Sequence, residues 1–230
     1  MQMVILAGGL ATRLGPLAAE HPKSMLEIEG KPFLQYQLEL LRQNKITEIV
    51  LCIGHLGHVI EAYFGDGKRF GLNIRYSKES GKLLGTGGGL KKALPLLDES
   101  FFVMYGDSYL MLDYGEIERE FLRQPECGLM VAYRNENRYD RSNLVIENSR
   151  VVEYGPENHL EKHYIDEGIS VLRREFFESF CEAEVFGLPL VFQKLIAARK
   201  LRAMETGQRF YEIGSFAGVE EFRNWIKKKG

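Results

Sequence analysis

Residues 3–23 read Met3-Val4-Ile5-Leu6-Ala7-Gly8-Gly9-Leu10-Ala11-Thr12-Arg13-Leu14-Gly15-Pro16-Leu17-Ala18-Ala19-Glu20-His21-Pro22-Lys23, and this stretch decides the fold. Its opening run, Met3 to Leu6, is short and wholly apolar, the pattern of a strand buried on both faces of a parallel sheet. Gly8 and Gly9 follow at the strand's carboxyl end. Without side chains they leave backbone N–H groups bare, so an anionic or planar ligand can approach closely. Arg13 and Lys23 place permanent positive charge at two points of the same loop, which suits a polyphosphate. Taken singly, a Gly-Gly turn, an Arg or a Lys is ordinary loop chemistry; their conjunction carries the argument. The dinucleotide fingerprint G-x-G-x-x-G is not supplied by Gly8 to Arg13. A Walker loop is excluded too, because no lysine follows Gly15 in the required place.

The rest of the chain extends the same pattern. A helix is expected over 32–44, opened by Pro32 and carrying Leu34, Leu38 and Leu41 on one face. Residues 48–53 form a second apolar strand, 56–64 a helix and 72–77 a third strand. Strand, helix, strand, helix, strand argues a parallel, doubly wound sheet. Next come Leu84-Gly85-Thr86-Gly87-Gly88-Gly89-Leu90, four glycines in five residues. They are expected as a loop ahead of a helix, with backbone against a flat or charged group and no use in core packing. The apolar run 101–105 ends in Gly106-Asp107-Ser108, which sets a carboxylate at the edge of the crevice where such sheets bind ligands.

Asp113 is expected to cap a helix over 114–123. A strand over 128–133, a polar loop over 134–143 and a hairpin (143–146 and 150–154, turning at Asn148-Ser149) come next. The strand 164–172 holds Asp166 and Glu167 in an apolar setting, costly unless they are paired or face a ligand. Helices over 173–180 and 190–198, strands over 201–204 and 209–213, and a helix over 215–229 complete the chain.

At 230 residues and 45% hydrophobic, the chain can bury a sizeable core as one domain over 1–230. A net charge of −2 gives no field for nucleic acid. The three cysteines, Cys52, Cys127 and Cys181, are scattered and lack histidines at metal-ligand spacing, so they read as small buried residues in a reducing compartment. No basic leader precedes the first apolar run and no stretch reaches membrane-span length. A cytoplasmic protein without membrane partners is expected.

L-A-G-G-x-x-T-R-L followed by P-K-x-M-x-x-I-x-G-K-P resembles the signature of the sugar-1-phosphate nucleotidyltransferases. Here it is carried by residues 6–14 and 22–32. The heptose-1-phosphate guanylyltransferase-like members are the most similar subgroup. The resemblance implies an α/β fold: a Rossmann-like, doubly wound, mixed but mainly parallel sheet with an added antiparallel hairpin. A nucleotide-binding half would span about 1–125 and a sugar-binding half about 126–230. It implies transfer of a nucleoside monophosphate from an NTP to a sugar 1-phosphate, with pyrophosphate released.

By the same resemblance Arg13 and Lys23 are catalytic. Leu6, Ala7, Gly8, Gly9, Thr12, Gly85, Thr86 and Gly87 bind nucleotide, and Asp107 and Glu212 bind Mg²⁺. Asp166, Glu167, Gly168 and Lys162 bind sugar. Two departures stand out. Glu212-Ile213-Gly214 replaces the usual D-I-G. Glu153-Tyr154-Gly155-Pro156 replaces an E-K-P segment, so either Lys162 substitutes for its lysine or the sugar phosphate is held otherwise. A cytidylyl or uridylyl transfer to another phosphorylated acceptor, and a non-catalytic nucleotide-sugar sensor, stay open. So does oligomeric state, with a homodimer as the expected association.

Overall fold

Met3 to Leu6 form the buried central strand that the apolar run predicts. A computed structural model of the chain describes residues 1–9, 22–79, 81–139, 141–155, 162–178 and 184–229. In chain order its elements are β1 (Gln2–Leu6), β2 (Glu27–Ile28), β3 (Lys31–Pro32), α1 (Phe33–Gln43), β4 (Glu48–Ile53), α2 (Gly57–Phe64), β5 (Asn73–Lys78) and α3 (Gly85–Ala93). They continue with β6 (Ser100–Tyr105), β7 (Ser108–Tyr109), α4 (Tyr114–Leu122), β8 (Gly128–Arg134), β9 (Leu144–Glu147), β10 (Arg150–Tyr154) and β11 (Tyr164–Arg173). The last are α5 (Arg174–Glu178), α6 (Leu188–Ala197), β12 (Leu201–Thr206), β13 (Tyr211–Glu212) and α7 (Phe216–Lys229).

The main sheet has nine strands in the order β5-β4-β1-β6-β11-β8-β12-β10-β9. β5, β4, β1 and β6 are parallel. β11 lies antiparallel between β6 and β8, and β12 then runs parallel to β8. The β9–β10 hairpin turns through Asn148 and Ser149 at φ 49° and 58°, the left-handed pair that a two-residue turn needs. Single bridges, Arg150 to Arg202 and Tyr164 to Leu144, join this hairpin to β12 and β11.

Alternation along β1 divides the core. Met3, Ile5 and Ala7 face Leu34, Leu38, Phe64, Tyr114 and Phe121 of α1, α2 and α4. Val4 and Leu6 face Leu90, Val191, Phe192 and Leu195 of α3 and α6. Helices therefore cover both faces of a mixed α/β sheet. A third cluster joins α1 and α7 through Phe33, Val219 and Phe222. No described helix is long and apolar enough to cross a membrane.

Three expectations need correction. The glycines of 85–89 do not precede a helix; they are the first residues of α3, and Gly87, Gly88 and Gly89 are buried. Gly87 and Gly88 are packing residues: a Cβ on Gly87 would stand 2.5 Å from the Phe186 ring, and one on Gly88 would strike the Glu184 carbonyl. The strand expected over 209–213 is only Tyr211–Glu212, because Arg209 instead lies over the Tyr139 ring and pairs with Glu221. The helix expected over 173–180 spans Arg174–Glu178. Cys181 and residues 179 and 180 lie outside the described residues.

Candidate active site

The carboxyl ends of β1 and β6 lie side by side, and a cleft of about 300 Å³ opens above them. Just past the strand ends, Ala7 N–H donates to Cys52 O of β4 at 2.9 Å and Gly106 N–H to Leu6 O at 3.1 Å, so β1 stays in register with β4 on one side and with β6 on the other. A glycine at 106 eases this approach, since a Cβ would lie 3.0 Å from Leu6 O and would push that carbonyl aside. Leu6, Ala7, Gly8 and Gly9 line one side of the cleft, and Tyr105, Gly106 and Asp107 the other. Gly85 and Thr86 close the top; Gly85 holds φ +73°, a glycine conformation. Gly89 lines the cleft, whereas Gly87 faces Phe186.

Lys23 and Asp107, 84 residues apart in sequence, meet in this cleft with Nζ 2.6 Å from Oδ2. Glu212 comes alongside through β13, paired in register with Ser108 of β7, while Ile213 N–H donates to Asp107 O at 3.0 Å. Its carboxylate accepts from the Gly214 N–H and, at 2.7 Å, from the Ser215 hydroxyl, which in turn accepts from Gly218 N–H at 3.0 Å. Glu212 is thus folded onto the start of α7. A Cβ on Gly214 would stand 3.2 Å from Lys23 Nζ and would also collide with Glu212 Oε2, so both groups crowd one small volume. Asp107 and Glu212 fit a hard divalent cation: they supply carboxylate oxygens, and as two ligands they leave the remaining positions to phosphate and water. Among the described residues no cluster of three or more His, Cys, Asp or Glu could hold a metal by itself.

Glu79 stands at the opposite end of the cleft with Cys52 and Leu83. Its Oε2 accepts from Leu84 N–H at 3.1 Å. Burial pushes its carboxyl pKa up, opposed by that hydrogen bond and by Lys92. Sequence reasoning passed over Glu79, although a charged residue just past a strand end and shortly before a glycine cluster was the available signal. It also passed over Tyr105, hidden in an apolar run.

None of the four residues expected to bind sugar lines the cleft itself, although Gly168, with Asp166 bonded to it, sits against the Asp107 turn. Gly168, at φ +93°, abuts the Asp107 turn: a Cβ there would stand 2.8 Å from Ser108 Oγ. It belongs to a bulge in β11 where the pairing with β8 breaks between Asp166 and Ser170. Asp166 Oδ1 accepts from Gly168 N–H at 2.9 Å and Oδ2 from the Tyr154 hydroxyl at 3.2 Å. Removal from water raises its pKa to about 6 despite both bonds. Tyr154 is also hydrogen-bonded to Tyr105, whose side lines the cleft.

Glu167 and Lys162 do not line the cleft. Glu167 is 2% exposed, neither oxygen has a partner, and burial followed by the Asp166 charge raises its pKa to about 8. Burial first, and Glu167 after it, raise the pKa of the Tyr114 hydroxyl in the core. Lys162, also buried, donates to Gly155 O at 3.0 Å and lies 3.6 Å from Glu153. Thr12 and Arg13 fall outside the described residues.

This site can be compared with known proteins. The nucleotidyl transferase family model matches residues 2–172. The chain belongs to the nucleotidyl transferase family. It is 32% identical over 216 residues to the D-glycero-alpha-D-manno-heptose 1-phosphate guanylyltransferase of Campylobacter jejuni, covering 93% of this chain and 95% of that one. A protein of the same name from Aneurinibacillus thermoaerophilus is 30% identical over 217 residues, covering 93% of each. Among solved structures, HddC from Yersinia pseudotuberculosis complexed with GMP-PN superposes at TM-score 0.80 with 25% identity, covering 98% of this chain and 99% of that one. With relatives of this kind along nearly its whole length, the chain is an enzyme, a sugar-1-phosphate nucleotidyltransferase. The ends of β1 and β6 and the pairing of Lys23 with Asp107 all lie in regions that the family match covers.

Proposed function

We propose that this nucleotidyltransferase uses GTP and a heptose 1-phosphate, releasing pyrophosphate and forming a GDP-heptose. The observation that carries the reaction type is the Lys23–Asp107 pair at 2.6 Å on the floor of a glycine-walled cleft. The acceptor phosphate is an anion at neutral pH, so attack on the α-phosphorus needs no general base. What it needs is in-line approach of two polyanions and cancellation of the charge that builds on the pentavalent centre.

In this reading Gly8 and Gly9 present backbone N–H groups to the nucleotide, and Gly85 and Thr86 hold its other side. Arg13 grips the departing pyrophosphate. Lys23 passes from Asp107 to the α-phosphate and the incoming phosphate. Asp107 and Glu212 would hold Mg²⁺, which neutralises phosphoryl oxygens when bound. Gly168 and Asp166, beside the Asp107 turn, form the near wall for the sugar. Helices on both faces of the parallel strands support reading the nucleotide end as Rossmann-like and doubly wound.

Two findings favour GTP. The nearly full-length relatives are named as guanylyltransferases. Glu79 also lines the cleft beside Cys52 and Leu83, and when ionised its carboxylate is an acceptor. Guanine alone among the bases offers two adjacent donors, N1–H and the N2 amine, to such a group. Pyrophosphate release with Mg²⁺, four NTPs and a panel of sugar 1-phosphates tests the proposal. GTP with heptose 1-phosphate should be fastest, and Lys23→Ala should be slower by about 10²–10³-fold. No release with any pair would overturn the reading.

A further inference from the structure

Lys23 and Asp107 come from distant parts of the chain, and both are fastened to α1. Lys23 opens a short 3-10 turn, Leu26 N–H closes on Lys23 O at 3.0 Å, and Leu26 O accepts from Phe33 N–H, the first residue of α1, at 2.9 Å. Asp107 is fastened differently. Gln37, one turn further along α1, donates from Nε2 to Tyr105 O at 3.0 Å and to Ser108 O at 2.6 Å. These carbonyls bracket the Gly106-Asp107 turn. Both are acceptors, so the amide can sit only with its nitrogen toward them.

Gln37 is 1% exposed on the face of α1 that also carries Leu34, Leu38 and Leu41. Its own Oε1 has no partner. An apolar side chain of similar size would avoid that unmet acceptor, so packing alone gives no reason for an amide here.

We propose that Gln37 is a positioning residue for the reaction: it holds the Asp107 carboxylate in register with Lys23 and so sets the metal and phosphate geometry. The inference rests on the proposed roles of Lys23 and Asp107. Loss of the clamp frees the turn between Tyr105 and Ser108 while leaving α1 and the Lys23 segment attached. A shift of the carboxylate by a fraction of an ångström then weakens metal–nucleotide binding and slows turnover.

The test compares wild type with Gln37→Leu and Gln37→Glu. Leu keeps the bulk and removes the donors; Glu keeps the shape but, held as the neutral acid in this buried setting, has one donor to offer the two carbonyls instead of two. Mn²⁺ affinity is read by electron paramagnetic resonance in the presence of a non-hydrolysable GTP analogue, with thermal midpoints measured on the same samples. Both variants should bind Mn²⁺·nucleotide about 10- to 100-fold more weakly, the range seen when hydrogen bonds behind metal ligands are removed. Their kcat should fall more than their KM for the sugar phosphate rises.

Gln37→Asn, whose shorter amide reaches less far, should recover part of the affinity. If folded Gln37→Leu binds Mn²⁺·nucleotide as wild type does, Gln37 is a packing residue and the inference fails. If Gln37→Leu does not fold, Gln37→Glu and Gln37→Asn carry the same decision. Failure of the reaction type would show separately, as wild-type protein that binds Mn²⁺·nucleotide but releases no pyrophosphate.

Discussion

Glu167 shows how a single residue can carry an expectation only part of the way. An acid inside an apolar strand should be paired or face a ligand, and Asp166 obeys, taking two hydrogen bonds beside the Asp107 turn. Glu167 does neither, and strand alternation is the reason: neighbouring side chains point to opposite faces, so only one of the two acids can look toward the cleft side. Its pKa of about 8 in the fold, against roughly 4.3 in an unfolded chain, has a definite sign. Between those values the native state binds more protons than the unfolded one. The stabilisation is complete below about pH 4 and is lost as pH rises to 8. Asp166 adds to the loss up to about pH 6. Wild type should therefore lose stability from pH 5 to 8, by up to about 1.4 kcal/mol per pH unit for each acid that is titrating, hence most steeply below about pH 6 where both contribute. Glu167→Gln should flatten that slope. Urea titrations of both proteins at pH 5, 6.5 and 8 would check it; parallel curves would mean that Glu167 stays charged in the fold.

At the scale of elements, the apolar periods of β1, β4, β6, α1 and α4 were readable in sequence because each is decided by neighbours in the chain. The Asp113 cap is an example, its Oδ1 accepting from Glu116 N–H at 2.9 Å. The glycines of α3 were misread because what they pack against is remote: Thr86 Oγ1 accepts from Leu188 N–H, 102 residues away. The 184–187 segment lies close enough that Gly87 and Gly88 N–H both donate to Phe186 O. No local rule reports such an approach. Gly88→Ala separates the two accounts. As a loop glycine, or by helix propensity alone, the alanine would be neutral or would gain up to about 1 kcal/mol. As a packing glycine it forces the Glu184 backbone away and should cost roughly 1–3 kcal/mol. It should also raise the KM for nucleotide, because α3 carries Gly85 and Thr86 into the cleft. Denaturant midpoints and steady-state kinetics on one preparation decide the matter.

Across the whole molecule, strand order was the hardest feature to foresee, and it has consequences for folding. Lys23 and Asp107 could be found from motifs alone, but nothing local places β11 between β6 and β8. Residues 169–173 of β11 pair with β6, so a division near residue 125 would leave the β6 edge open along Ser100 to Met104. A nucleotide half of about 1–125 therefore exposes a long apolar edge when separated, and should aggregate rather than fold. The intact chain should unfold as one cooperative unit. Its single tryptophan, Trp225, packs beside Tyr109, Tyr211 and Phe222 in the α1–α7 cluster, away from the central sheet. Trp225 fluorescence thus reports that cluster, while far-ultraviolet circular dichroism reports every helix and strand. The two signals should trace one urea transition, because α1 packs on β1 and the sheet through Leu34, Leu38 and Leu41 and on α7 through Phe33. A fluorescence change completed at lower urea would instead show α7 detaching by itself, pulling Glu212 from its short pairing with Ser108 beside Asp107 before the sheet is lost.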